Sequence, residues 1–408
     1  MMTPRGLLGK HKSGAGESRL RLWVQPWRLM LEQFLYSSTS LNHSAPHIRD
    51  ASSVQGMMNN FVIATIPCWL IGLWNLGYQS NLAMVEMELT MLPGWRAAIL
   101  SGWGIGYDHG NVLACFAHGL LYFLPIFLVA LLVSSFWDAI FSVVRRRPLD
   151  EGLLAFAWLF ALILPAGVPL YLVGIGISFG MVMGKHIYGG SGRYLVNPAL
   201  LGLIFLWFAY PSAVFGASSW IPIPGFEQTS ALDLAAAGGM EAVLASGLSW
   251  WDLFLGVRPG PIGTTSVLGC LLGAVYMIVT GTVSWRVLCG VMLGVVAAVF
   301  LFNSLAGDAS EMFQIPWTWH LVLGGLAFGT VFFATDPVAG ALTDTGRWAF
   351  GVLVGLLVIV IRVTNPVYNE AILFAVFLAS LFAPVIDFFV IELNIRRRRR
   401  RLMELTDG

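Results

Sequence analysis

The sequence predicts an all-α polytopic membrane protein, and three observations carry the prediction. Of its 408 residues, 57% are hydrophobic and 11% charged, where a soluble domain has about a quarter of its residues charged. Long apolar runs recur along the chain. When those runs alternate across a bilayer, the basic residues sort to one side. A mean hydropathy of +0.76 agrees, as do 45 Gly and 16 Trp, residues suited to close helix contacts and membrane interfaces. A soluble enzyme and a disordered chain are both excluded. The net charge of +1 leaves no basic domain for a nucleic acid.

Residues 1–56 are polar and basic with no signal-peptide pattern, and they read as a cytoplasmic N-terminal segment. A span needs about 20 apolar residues, fewer where a helix is broken. Runs at about 58–76, 112–135, 152–165, 168–185 and 198–211 make a first membrane half, 57–211. Runs at about 266–284, 287–305, 319–335, 347–363 and 370–391 make a second half, 266–391. That gives about ten transmembrane helices. Two runs are short: 152–165 is stopped by Pro165 to Pro169, and 198–211 lies between Pro198 and Pro211. Short segments interrupted by Pro and Gly mark broken helices, whose freed backbone groups can hold ligands or ions.

With the N-terminus inside, 20 of the 23 basic residues fall on the cytoplasmic side, including Arg145 to Arg147 and Arg396 to Arg401. Only Arg96, Arg258 and Arg362 fall outside. Residues 392–408 form a basic cytoplasmic tail, suited to anionic lipid. The outer segment 212–265 is longer than a connector requires, which marks it as functional or disordered. Cys68, Cys115, Cys270 and Cys289 contain no C-x-x-C pair and read as small buried hydrophobes.

An ionisable residue inside a span costs about 2.5–3.5 kcal/mol on insertion scales. Asp138, Asp336 and Asp387 sit near the inner ends of spans, with Glu151 beside them. They read either as interfacial carboxylates paired with nearby arginines or as a site for a hard cation, which prefers carboxylate and carbonyl oxygens. The loop Gly189 to Asn197-Pro198, containing Gly190 and Arg193, permits close approach to a ligand and starts a helix. It does not match a Walker A loop or a dinucleotide fingerprint. Pro259 to Ser266 is a second Gly-Pro loop before the sixth span.

Together these stretches resemble the B-type subunit of the Na(+)-translocating NADH:quinone reductase (the Nqr family), which is related to the RnfD component of the Rnf complex. The likeness covers nearly the whole chain after about residue 44. It runs through His47 to Asp50, Gly189 to Ala199, Phe205 to Pro211, Pro259 to Ser266, Trp317 to Gly325, Ala334 to Val338, Ile361 to Pro366 and Phe382 to Asp387. The resemblance implies ten helices in two related five-helix halves, in the bacterial inner membrane with both termini cytoplasmic. It implies a translocase component that works with five other subunits, passing electrons through flavins to ubiquinone or menaquinone while sodium leaves the cell. It also implies an FMN joined by a phosphodiester, through a flavin transferase, to a hydroxyl in the periplasmic loop, and a riboflavin in the membrane. The family's sodium-uptake acids match Asp138, Asp336 and Asp387.

Three departures from the family pattern stand out. Aligned on Gly225 and Ala231-Leu232, the flavin acceptor position holds Ser230, with Thr229 one residue earlier, and the usual leading Asp is Pro224. The riboflavin Asn pair keeps Asn197 but has Tyr194 as its first member, and the Glu expected in the 259–266 loop is Thr264. An RnfD-type electron-transport protein and a flavin-free secondary transporter are the competing readings. A reporter fused after Gly408 is expected to be active only in its cytoplasmic form. Periplasmic reporter activity there would mean a miscounted span.

Overall fold

A computed structural model describes residues 54–89, 94–145, 152–305, 311–364 and 370–406. Most of the N-terminal segment, with His47 to Asp50, lies outside the described residues, as do Arg146, Arg147, Glu151, Asp308, Asn365 and Pro366.

Apolar residues fill every predicted span, and each span contains helix, one of them broken. The first half comprises α1 (Val54–Glu86), the short α2 (Trp95–Gly102), α3 (Val112–Arg145), α4 (Leu153–Ile163), α5 (Leu170–Phe179) and α6 (Pro198–Ala209). Helix α5 runs on into a π-helix, Gly180–His186. The outer segment carries two single turns, then α7 (Ala231–Ala245) and α8 (Trp250–Leu255). The second half comprises α9 (Val267–Val279), α10 (Trp285–Leu305), α11 (Trp317–Val322), α12 (Leu326–Phe328), α13 (Asp344–Thr364) and α14 (Ala371–Thr406). Among the described residues there is no strand.

Helices α1, α3, α10, α13 and α14 are long and apolar enough to cross a membrane. Helices α4, α6 and α9 and the α5–π segment are shorter apolar pieces. The eighth predicted span, 319–335, is not one helix. It breaks at Leu323 to Gly325, where Gly324 takes φ +63°, and resumes as α12 followed by a π-helix, Gly329–Phe333. A positive φ suits glycine because it has no Cβ. Among the described residues there are two π-helices, and each is entered through Phe-Gly-x-Val: Phe179 to Val182 and Phe328 to Val331. The basic run Arg396 to Arg401 continues α14 as helix.

Helix α4 is the centre of the apolar core, with Phe156, Phe160, Ala161 and Leu162 all fully buried. Residues 212–265 pack onto the helix ends. The Ser219 carbonyl accepts from the Gly167 N–H at 3.0 Å, and Trp250 Nε1 donates to the Thr318 carbonyl at 3.2 Å. This end of the bundle is called the Ser230 end, and the opposite one the Asp138 end.

Helices α10 and α13 pack side by side, with Gly290 beside Gly351 and Gly294 beside Gly355. A Cβ on Gly351 would lie 2.6 Å from the Val287 carbonyl oxygen. Gly351→Leu is therefore expected to destabilise the detergent-purified protein by about 1–3 kcal/mol or more. Gly102→Ala, whose Cβ would meet open space, should change stability by less than about 0.5 kcal/mol. Thermal unfolding midpoints check this, and equal shifts in the two variants would contradict the packing.

Candidate functional site

The two ends of the bundle carry different chemistry, built in each case where a helix breaks or terminates.

At the Asp138 end, the three predicted acids occupy three separate positions. Asp138 on α3 is buried and takes both its oxygens to Lys185 Nζ, at 3.0 and 2.9 Å. The neighbouring His186 brings Nε2 to 2.7 Å from Oδ1, but at an angle that makes no hydrogen bond. Lys185 and His186 both lie on the first π-helix, and Arg145 donates to the His186 carbonyl. Removing one partner of a buried ion pair typically costs about 3–5 kcal/mol, because the other charge is left unpaired.

Asp336 follows the second π-helix and accepts from four residues. Tyr194 Oη donates to both its oxygens, at 3.0 and 3.1 Å, and Asn197 Nδ2 to one at 2.7 Å. The N–H groups of Val338 and Ala339 donate at 2.8 and 3.0 Å. The segment 194–197 after one π-helix thus binds the acid that follows the other. Asn197 also caps α6, its Oδ1 accepting from Ala199 N–H at 2.9 Å. Gly190, at φ +111°, turns the loop that brings it there, and Arg193 on the same loop is exposed. Asp387 on α14 accepts from the N–H groups of Leu342 and Thr343, at 2.7 and 3.0 Å, and so anchors the start of α13. Among the described residues no three His, Cys, Asp or Glu side chains group as metal ligands.

At the Ser230 end, two of the three arginines assigned to the outer side are buried. Arg258 donates to the carbonyls of Thr264, Thr265, Val322 and Gly324, at 2.7–3.1 Å. Arg362 donates to those of His320 and Leu323, each at 2.8 Å, while its buried Nε has no partner. The carbonyls freed where α11 stops are therefore held by two guanidiniums. Across the break, the Gly325 N–H donates to Glu370 Oε2 at 2.7 Å. Burial lowers the Arg258 pKa and Glu370 works against that shift; a guanidinium stays charged under these conditions.

Ser230 caps α7 in a reciprocal box with Asp233, and Thr229 is exposed. Ser230, Arg258, Thr264, Gly324 and Glu370 line a small cavity of about 10 Å³, room for about one water. A second of about 10 Å³ shares Thr264 and Glu370 and adds Trp207, Trp220 and Pro165. Trp220 Nε1 is buried without a partner. Lys185, Arg258, Arg362 and Trp220 are site residues that sequence reasoning does not single out. It uses the cations for topology alone, although a charge inside or beside an apolar run is itself a signal.

The fold and the two ends define a polytopic helical membrane protein with broken helices and buried charge at both faces. The chain belongs to the NQR2, RnfD, RnfE family, which matches residues 41–396. It is 44% identical over 373 residues to the B-type subunit of the Na(+)-translocating NADH-quinone reductase of Azotobacter vinelandii (strain DJ / ATCC BAA-1303), covering 91% of this chain and 92% of that one. It is 43% identical, with the same coverage, to the protein of that name from Pseudomonas aeruginosa (strain LESB58). Against the one from Chromohalobacter salexigens it is 43% identical over 371 residues, covering 91% of this chain and 90% of that one.

Proposed function

We propose that this chain is the part of a sodium-translocating NADH:quinone reductase through which electrons pass by way of flavin to quinone. It works in a bacterial inner membrane, with five other subunits, and its Asp138 end faces the cytoplasm. The observation that carries the reading is the 44% identity, over 91% of the chain, to a relative of that name; at the Ser230 end the Ser230 hydroxyl shares a wall with Arg258.

The residues beside Ser230 suit the phosphodiester of an FMN, while the two small cavities, each with room for about one water, leave the flavin ring outside them. The Ser230 hydroxyl lines the cavity, whereas Thr229 is not among the lining residues. Arg258 supplies positive charge within the same wall, complementary to a phosphodiester. A flavin bound there would accept and pass on electrons; the chain's part is to position it and set its electrostatics. Attachment at Ser230 gives up a helix cap worth about 1 kcal/mol. A flavin transferase is the partner this step requires.

At the other end, the loop with Gly190, Arg193 and Asn197 is the candidate riboflavin seat, and Asp138, Asp336 and Asp387 the candidate sodium pathway. Quinone, ubiquinone or menaquinone, is the electron acceptor. Each acid is already hydrogen-bonded within the chain, so sodium would have to replace or join existing donors.

The flavin is tested on a denaturing gel, with the transferase present. The parent chain should give a fluorescent band, lost in Ser230→Ala and kept in Thr229→Ala. Loss only in Thr229→Ala would move the attachment by one residue. A parent band without fluorescence would sink the covalent flavin.

A further inference from the structure

Both oxygens of the Asp138 carboxylate already accept from one lysine ammonium, at 3.0 and 2.9 Å, so a transported cation would meet a charge in place. We propose that Lys185 is a tethered stand-in for the transported monovalent cation. It holds Asp138 when no sodium is present and yields the carboxylate when sodium arrives. The inference rests on the sodium-pumping reading above and names how that site is regulated.

Four observations support it. Both side chains of the pair are fully buried, so solvent does not share the carboxylate. A hard cation seeks carboxylate oxygens, and replacing one unit charge by another keeps the buried site neutral. Among the described residues the ammonium is the hydrogen-bonded partner of Asp138, since the His186 ring nitrogen approaches off-line. Sodium therefore has the Lys185 ammonium to move, with the His186 ring 2.7 Å from Oδ1 beside it.

The ammonium also has somewhere to go. Lys185 Nζ lies 5.5 Å from the centroid of the Phe156 ring, within the range where an aromatic face attracts a cation. The edge-on neighbour of Phe156, at 5.6 Å between centroids, is Tyr194, whose hydroxyl donates to Asp336. One aromatic ring thus separates the Lys185–Asp138 pair from the Tyr194–Asp336 pair, and an ammonium leaving Asp138 moves over it toward Asp336. Lys185 belongs to a π-helix, a geometry that recurs at functional sites. A lysine serving only as structural glue would have no reason to respond to sodium.

The purified complex provides the test. An amine-acylating reagent is applied in sodium chloride or in equimolar choline chloride, and labelling of Lys185 is read by peptide mass spectrometry. Labelling should rise severalfold in sodium, and equal labelling in the two salts would overturn the proposal. Lys185→Gln should lower the apparent sodium requirement of quinone reduction severalfold at parental flavin content. The double variant Asp138→Asn/Lys185→Gln should lose that gain. A Lys185→Gln complex with the parental sodium requirement would make the pair structural only, and if that variant fails to assemble, the labelling of the parent complex decides. Quinone reduction by the parent complex that ignores sodium would instead break the pumping reading itself.

Discussion

The structure depends on satisfying backbone groups that broken helices release inside an apolar interior. A continuous helix bonds its own carbonyls and N–H groups, and a break leaves up to four of each without intrahelical partners. Each buried group left so costs about 1–3 kcal/mol. Here the break at Leu323 to Gly325 is held by Arg258 and Arg362 on the carbonyl side and by Glu370 on the N–H side. The turn after the second π-helix is held by Asp336 through the Val338 and Ala339 N–H groups. Arg258, Arg362, Glu370 and Asp336 stand in the core where freed backbone groups need partners.

That requirement also makes the sites. A guanidinium placed to grip carbonyls leaves positive charge in the wall of the cavity under Ser230. A carboxylate placed to accept N–H groups leaves an acid at the opposite end, tied to Tyr194 and Asn197 from the other half. The segment 194–197 and Asp336 join the ends of the two π-helices, so a change at one half is felt directly at the other. Helix α4 adds a further link at this end, with Phe156 between Lys185 and Tyr194.

Much of this is legible in the sequence. Hydropathy locates the helical segments of both halves, since Leu, Val, Phe and Ala runs leave few alternatives in a bilayer. Pro165, Pro169, Pro198 and the Asn197 cap correctly mark the ends of the short helices. The break inside 319–335 is hidden because Leu323-Gly324-Gly325 keeps the run apolar, and hydropathy is blind to a positive φ. Counting basic residues treats Arg258 and Arg362 as outer charges, whereas both lie buried on carbonyls that only the folded chain brings near. The three acids are visible in the sequence but their partners are not. Lys185 lies 47 residues from Asp138, and Tyr194 lies 142 from Asp336.

The two ends are read as doing separable work, flavin at one and cation at the other. Asp336→Asn in the assembled complex probes this separation, with covalent flavin fluorescence and the sodium dependence of quinone reduction measured on the same preparation. Parental fluorescence with a raised apparent sodium requirement is the expected result. Parental fluorescence with an unchanged sodium requirement would contradict the separation and leave Asp336 as a buried turn-former alone.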